Sequence, residues 1–443
     1  MEKLLHYIWK HKILPLHQLF TTDGSQVEII NPGMHNQNAG PDFLNARIKI
    51  DGTLWAGNIE IHTLSSDWMR HRHDENPAYD NVILHVVGTP DCTVFNSHGK
   101  PIPQMQLDIP DYIRANFNEL QNSDRSPRCA NIIPSLPRIM VHSWMNSLLA
   151  ERMEKRTEEI KTRNARCTND WETTLFVTLS RNFGFGLNGD TFETWAKTIP
   201  MNAVNKHRDS LLQIEAMFFG QAGLLETASA NNSEDEYLRQ LKNEYRFLKN
   251  KFSLTPIDAS LWKFLRLRPQ NFPHIRIAQL ANLVYSKKLN MSAIVEASDL
   301  QDMHRLLDTQ VSEYWQTHYT FASAQSAKTE KRLSNSSKNL LIINTLCPML
   351  FAYGKYKNDE ALCEKSLNML QEIKPEDNHI TRAWNACGVT AESAADSQAL
   401  IQLEQNYCST HNCLRCRFGY EFIRQNPNVF RENKNKNRIL PHT

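Results

Sequence analysis

Apolar residues recur at helical spacing where the chain begins: Leu4, Leu5, Ile8 and Trp9 share one side and predict a helix over residues 1–20. After residue 24 the period shortens. The runs VEIINPG, FLNARIKIDG, LWAGNIEIHT, NVILHVVG and CTVFN are short, β-rich and bounded by Gly, Asn, Asp or Pro, and they predict at least five strands. Between two of them, SSDWMRHRHDENPAYD (65–80) is too polar for a core strand and reads as a short helix and loop. Near residue 135 the helical period returns. SLLAERMEKRTEEIKTRNA predicts a charged amphipathic helix, and Leu212, Ala216, Phe219 and Gly223 mark another. Ser233 with Glu236 predicts a capping box, opening a helix that carries Tyr237, Leu241, Tyr245 and Leu248. Pro273 sits near the start of HIRIAQLANLVYS, and MSAIVEASDL follows a polar break. Residues 321–336 are small and polar and predict a loop, and SQALIQLEQNY runs as a last helix into a cluster of cysteines. The organisation expected is an α/β domain over 1–125, a mainly helical domain over 135–385, and a cysteine-bearing segment over 386–443.

Composition narrows the classes. A chain of 443 residues that is 41% hydrophobic builds real cores, which excludes a disordered tail. A formal net charge of +2 excludes a globally basic nucleic-acid coat but permits a local basic groove. No run approaches the ~18–20 apolar residues that span a bilayer, so no membrane partner is expected. The opening residues lack an apolar core and cleavage site of the secretory kind. Nine unevenly spaced cysteines fit a reducing compartment, and cytoplasm is the expectation. Neither a G-x-G-x-x-G run nor a P-loop is present, so ATP and dinucleotides have no support.

The densest chemistry lies in 35–87. Asp42 follows a Gly-Pro turn and opens a strand; Glu60 and His62 stand two apart on the next and share a face. His85, on a further strand, extends that surface or is a satisfied core histidine. Oxygen ligands of this kind suit Mg²⁺ or Mn²⁺. Alternatively, Asp42 caps a turn while Glu60 and His62 line a solvated face opposite Arg47. His71, His73 and Asp74 form H-x-H-D, which binds metals in some loops and is incidental in others. Glu28 and Gln106 are lesser candidates for the same pocket.

At the other end Cys408, Cys413 and Cys416 form C-x4-C-x2-C, with Cys387 twenty-one residues upstream. Four thiolates suit a structural Zn²⁺ or an iron–sulfur cluster. His411 falls inside this segment and could replace one of them. Lys263, Arg266, Arg268 and Arg276 make a basic stretch beside Trp262 and Phe272, and the C-terminus is also basic. Such stretches favour the phosphates of DNA or RNA. Most charge runs, however, are solvated faces.

Pro41-Asp42 followed by Glu60-Ile61-His62 resembles the PD-(D/E)xK nuclease pattern. That resemblance implies a restriction-endonuclease-like mixed sheet, with Asp42 and Glu60 as metal ligands. His62 stands where the pattern has Lys, as a ligand, a general base or the mark of a changed site. More widely, GPDFLNARI, GNIEIH, SSDW, ILHVV, RPQNFPHIRIAQLA, NTLCPMLFAYG and DSQALIQLEQNYCSTHNCLRCRFG resemble the DUF2851 family of bacterial proteins. Together these imply a metal-dependent phosphodiesterase or nuclease. The alternative is a non-catalytic nucleic-acid-binding or interaction protein on a degenerate nuclease-like fold.

Overall fold

The computed structural model describes residues 1–13, 19–227, 235–321 and 323–426. They form two compact units, Met1–Leu136 with Glu404–Thr443, and Pro137–Leu403.

The first unit opens with helix α1 (Glu2–His11). Its strands are β1 (Leu19–Phe20), β2 (Gln26–Asn31), β3 (Met34–His35), β4 (Phe43–Ile50), β5 (Thr53–Leu64), β6 (Val82–Thr89) and β7 (Gln104–Gln106). They run in the order β1-β2-β4-β5-β6-β7, with β3 paired to β4. Pairing is antiparallel as far as β5, then parallel from β5 to β6 and β6 to β7. Thr21 bridges Met105, and the Thr22 amide donates to the Gln104 carbonyl at 2.8 Å. The two edges therefore meet and the mixed sheet is a nearly closed barrel, which removes the exposed edges of an open sheet.

Local chemistry explains the register. Asp51 and Gly52 both have positive φ (48° and 81°), so β4 and β5 join through a two-residue turn whose twist matches the strands. Gly57 lies against the neighbouring chain: a Cβ there would stand 2.4 Å from Ile83 Cγ2 and 2.6 Å from the Asn81 carbonyl oxygen. Ile48, Ile59, Ile61, Leu84, Val86 and Met105 fill the interior. Leu4, Leu5, Ile8 and Trp9 bury one face of α1, which packs on β5 and β6, and Trp9 Nε1 donates to the Pro32 carbonyl at 3.0 Å.

Several expectations are corrected. Helix α1 ends at His11, because Lys12 turns into the left-handed region (φ 47°), and residues 19–20 are already strand. The run CTVFN forms no strand: Phe95 makes an isolated bridge to Pro101, and its carbonyl accepts from Trp68 Nε1. Val94 instead joins Trp68, Tyr79, Val82 and Ile102 in a small core. The restriction-endonuclease-like sheet followed by a cysteine-rich metal segment gives way to a curled barrel with no cysteine metal site among the described residues. The last described helix, Arg417–Arg424, belongs to the first unit. Asn116, on helix α2 (Asp111–Asn122), reaches the carbonyls of Phe422, Ile423 and Gln425 at 3.0, 3.3 and 2.9 Å. A one-turn helix, Asp67–Arg70, lies between β5 and β6.

The second unit is helical. Its longest helix, Arg138–Arg166, packs on Ala394–Leu403, where Arg152 Nε donates to Gln398 Oε1 at 2.8 Å. Helix Leu211–Gln221 lies between Glu236–Phe252 and Pro273–Tyr285. Asp235 caps Glu236–Phe252 through the Leu238 amide; Ser233, expected as the cap, lies outside the described residues. Arg276 does not join a basic surface. It is buried, bonded to Gln279 and Asn271, with its guanidinium over the Phe185 ring. Asn188 is buried as a clamp, exchanging two hydrogen bonds with the Lys263 backbone.

Candidate metal centre

Glu60 and His62 project from the buried middle of β5, beside His85 on β6. The crossover between these strands supplies two more imidazoles. Asp67 anchors it by accepting from the Leu64 amide at 3.1 Å, while Trp68 is fully buried. His71 follows the one-turn helix, Arg72 turns left-handed (φ 58°), and His73 opens a further turn. That reversal lets both histidines face His62.

His62 Nε2 lies 3.2 Å from His71 Nδ1. One nitrogen from each of His62, His71 and His73 falls within 4.8 Å of the other two, the only such grouping of three or more His, Cys, Asp or Glu among the described residues. Nitrogens around one tetrahedral zinc at ~2.0–2.1 Å stand roughly 3.3 Å apart, so the triad needs only modest contraction. His73 is buried, stacks on Tyr79 at 3.8 Å between centroids, and leaves Nδ1 without a protein partner. His71 is exposed and opens the cluster to solvent.

The surroundings favour neutral imidazole. Burial, then neighbouring histidines, pushes His62 down to about 3. Burial and His73 bring His85 down to about 3. His62 Nδ1 meets His85 Nε2 at 2.9 Å, and His85 Nδ1 meets the Gln104 amide at 3.4 Å. A histidine bound to metal through Nε2 keeps its tautomer by hydrogen bonding through the other nitrogen, and His85 Nε2 is the group that faces His62 Nδ1.

The carboxylates form a lock beside the triad. The Asp42 amide donates to Glu60 Oε2 at 3.0 Å, and Asp42 Oδ2 accepts from the Ile61 amide at 2.9 Å. Glu60 Oε1 stands 3.3 Å from His73 Nε2 and 3.6 Å from His62 Nε2. Burial opposes ionisation of Asp42, but His6 Nε2 at 3.2 Å and the Ile61 amide outweigh it and hold the carboxyl low. Burial raises the Glu60 carboxyl, and the charge of Asp42 adds to it.

Asp42, Glu60, His62 and His85 thus lie in one neighbourhood. The expected Mg²⁺ or Mn²⁺ carboxylate site is corrected, because the grouping that suits an ion is made of imidazoles alone. Both carboxylates are instead committed to backbone amides. The Zn²⁺ or iron–sulfur site at Cys387, Cys408, Cys413 and Cys416 is likewise corrected: no cysteine enters a metal-competent group among the described residues. Cys387 terminates helix His379–Ala386 in the second unit, whereas Cys408, Cys413 and Cys416 belong to the first. Burial pushes the thiols of Cys408 and Cys413 up, away from the thiolate a metal needs. His411 instead meets Arg128 at 3.0 Å. Glu28 pairs with Lys49 at an exposed position. Gln106 is exposed, while Gln104, two residues earlier, is buried against His85. His6 carried no sequence signal, since its partner Asp42 lies far along the chain.

A curled mixed sheet with a histidine cluster held between one of its faces and the β5–β6 crossover defines a protein with a candidate metal-coordinating centre. Among the described residues no helix is long and apolar enough to cross a membrane. The chain belongs to the DUF2851 family, described as a protein of unknown function, whose model matches residues 2–379. No curated protein and no solved structure matches the chain, so neither supports the nuclease resemblance.

Proposed function

We propose that the first unit is a metal-dependent hydrolytic centre acting on the phosphodiesters of a nucleic acid, with His62, His71 and His73 holding a transition ion. The carrying observation is the convergence of three imidazoles, one exposed, within 4.8 Å. Nitrogen donors suit Zn²⁺ and its neighbours better than Mg²⁺. Three ligands leave a tetrahedral position for water, whose pKa a catalytic zinc lowers to ~7. Glu60 Oε1, beside two of the ligands, takes the proton, and Asp42 positions Glu60 through their shared backbone bonds. Arg72, exposed beside His71, gives the opening positive charge toward an anionic substrate, while the exposed Arg70 is paired with Asp67 at 2.6 Å.

The test is metal analysis of the purified protein, cobalt substitution read by visible absorption, and cleavage of bis(p-nitrophenyl) phosphate and single-stranded DNA and RNA. The expected result is one ion per chain, lost in His71→Ala and His73→Ala, with Glu60→Gln retaining the ion but cleaving ~10²-fold more slowly or worse. A protein that takes up no ion overturns the reading. The closeness of Glu60 Oε1 to two ligands favours a second reading, in which it closes the coordination shell of a non-catalytic, metal-braced binding protein. That version keeps the metal and nucleic-acid binding but shows no cleavage.

A further inference from the structure

The second unit holds a cavity of about 160 Å³, apart from the histidine cluster in both residues and chemistry. Leu175, Leu179 and Leu283 are buried at its base, and Glu172, Asn205 and Arg208 stand among the more exposed lining residues. The base is apolar and the rim carries both signs of charge.

The rim groups are fixed but not used up. Arg208 Nε donates to the Val284 carbonyl at 2.8 Å, which orients the guanidinium, and its two terminal nitrogens make no protein hydrogen bond among the described residues. Glu172 Oε1 accepts from the Met291 amide at 2.9 Å, which leaves Oε2 available. Burial weighs on the Arg208 guanidinium more than the charge of Glu172 supports it, and no ion pair joins the two. Asp170, also on the rim, spends both oxygens capping helix Trp171–Phe183 through the Glu172 and Thr173 amides. Unlike charges held apart above an apolar base match a small zwitterion with an apolar tail. The volume is well below the ~300–1,000 Å³ of drug-sized pockets, so it excludes an acyl chain.

We propose that this cavity binds a free α-amino acid with a short apolar side chain. The carboxylate sits on the free edge of Arg208, a fork suited to it. The ammonium sits on Glu172, and the side chain enters among Leu175, Leu179 and Leu283. The proposal does not depend on the metal reading.

The test is calorimetric titration of the full chain with L-leucine. Its controls are N-acetyl-L-leucine, which lacks the ammonium, L-leucinamide, which lacks the free carboxylate, and L-tryptophan, which is too large. Saturable one-to-one binding of L-leucine is expected, with each control at least about tenfold weaker. Arg208→Gln and Glu172→Gln each weaken L-leucine by at least about tenfold, with circular dichroism confirming an unchanged fold. No binding of L-leucine at millimolar concentration overturns the proposal. Equal binding of N-acetyl-L-leucine or L-leucinamide also overturns it, the latter pointing to a peptide N-terminus instead. These controls act on the unmodified protein, so the test survives a variant that does not fold.

Discussion

His62 and His85 share a ring hydrogen bond at 2.9 Å on the face of the sheet that the 65–80 crossover covers, and burial keeps both neutral near pH 7. Neutral imidazole is the form that binds metal, so burial prepares the ligand before any ion arrives. His85→Ala removes the hydrogen-bond partner of His62 Nδ1 without substituting a residue of the triad. The expected outcome is a 10–100-fold loss of metal affinity, measured by competition with a chromophoric chelator. Glu215, in the second unit, is a buried titratable group of another kind. It is 1% exposed, accepts from Tyr237 at 2.7 Å, and burial pushes its carboxyl up to about 7. A carboxyl raised on folding stabilises fully below its unfolded value near 4.5 and loses that contribution as pH rises through about 7. Glu215→Gln is therefore expected to match the parent at pH 4.5 and to exceed it at pH 8, by up to about 3 kcal/mol. Urea denaturation at the two pH values measures this, and equal gains at both would refute the buried-acid account.

Strand β5 is the element on which the site depends, because it carries Glu60 and His62 and pairs with β6, which carries His85. Its period was legible from sequence, since alternation along a strand is a local property. So was the turn at Asp51-Gly52, which needs two residues tolerant of positive φ. The contribution of the crossover was not. His71 and His73 read as an ambiguous loop motif, because nothing in R-H-R-H-D states that Arg72 turns left-handed or that Trp68 is buried beneath. Gly57 tests the element. A methyl group there collides with Ile83 and the Asn81 carbonyl, so Gly57→Ala must force β5 and β6 apart next to the site. The expectation is a loss of about 1–3 kcal/mol of stability for the first unit, followed by chemical denaturation, together with weaker metal uptake. Unchanged values for both would show that the strands part there without affecting the histidines.

At the scale of the molecule, the first unit is assembled from both ends of the chain. Phe418, Phe422 and Ile423 are buried, and Asn116 holds the carbonyl end of their helix. A fragment of residues 137–403 is therefore expected to fold alone as a helical protein with a cooperative melt. A fragment of residues 1–136 is expected to fold only with residues 404–443 supplied. Circular dichroism of the separate and mixed fragments decides this, and a cooperative melt of 1–136 by itself would contradict it.

By itself the sequence determined the periodic elements, the β4–β5 turn, the shared face of Glu60 and His62, and membership of the family. All of these depend on neighbours a few residues apart or on recurring runs of residues. Only the tertiary structure decided that the sheet closes on itself, that His71 and His73 join His62, and that Cys387 caps a helix of the second unit while the later cysteines belong to the first. Those facts depend on where distant segments return, which is set by burial of whole faces and closure of backbone hydrogen bonds, and no local spacing encodes them.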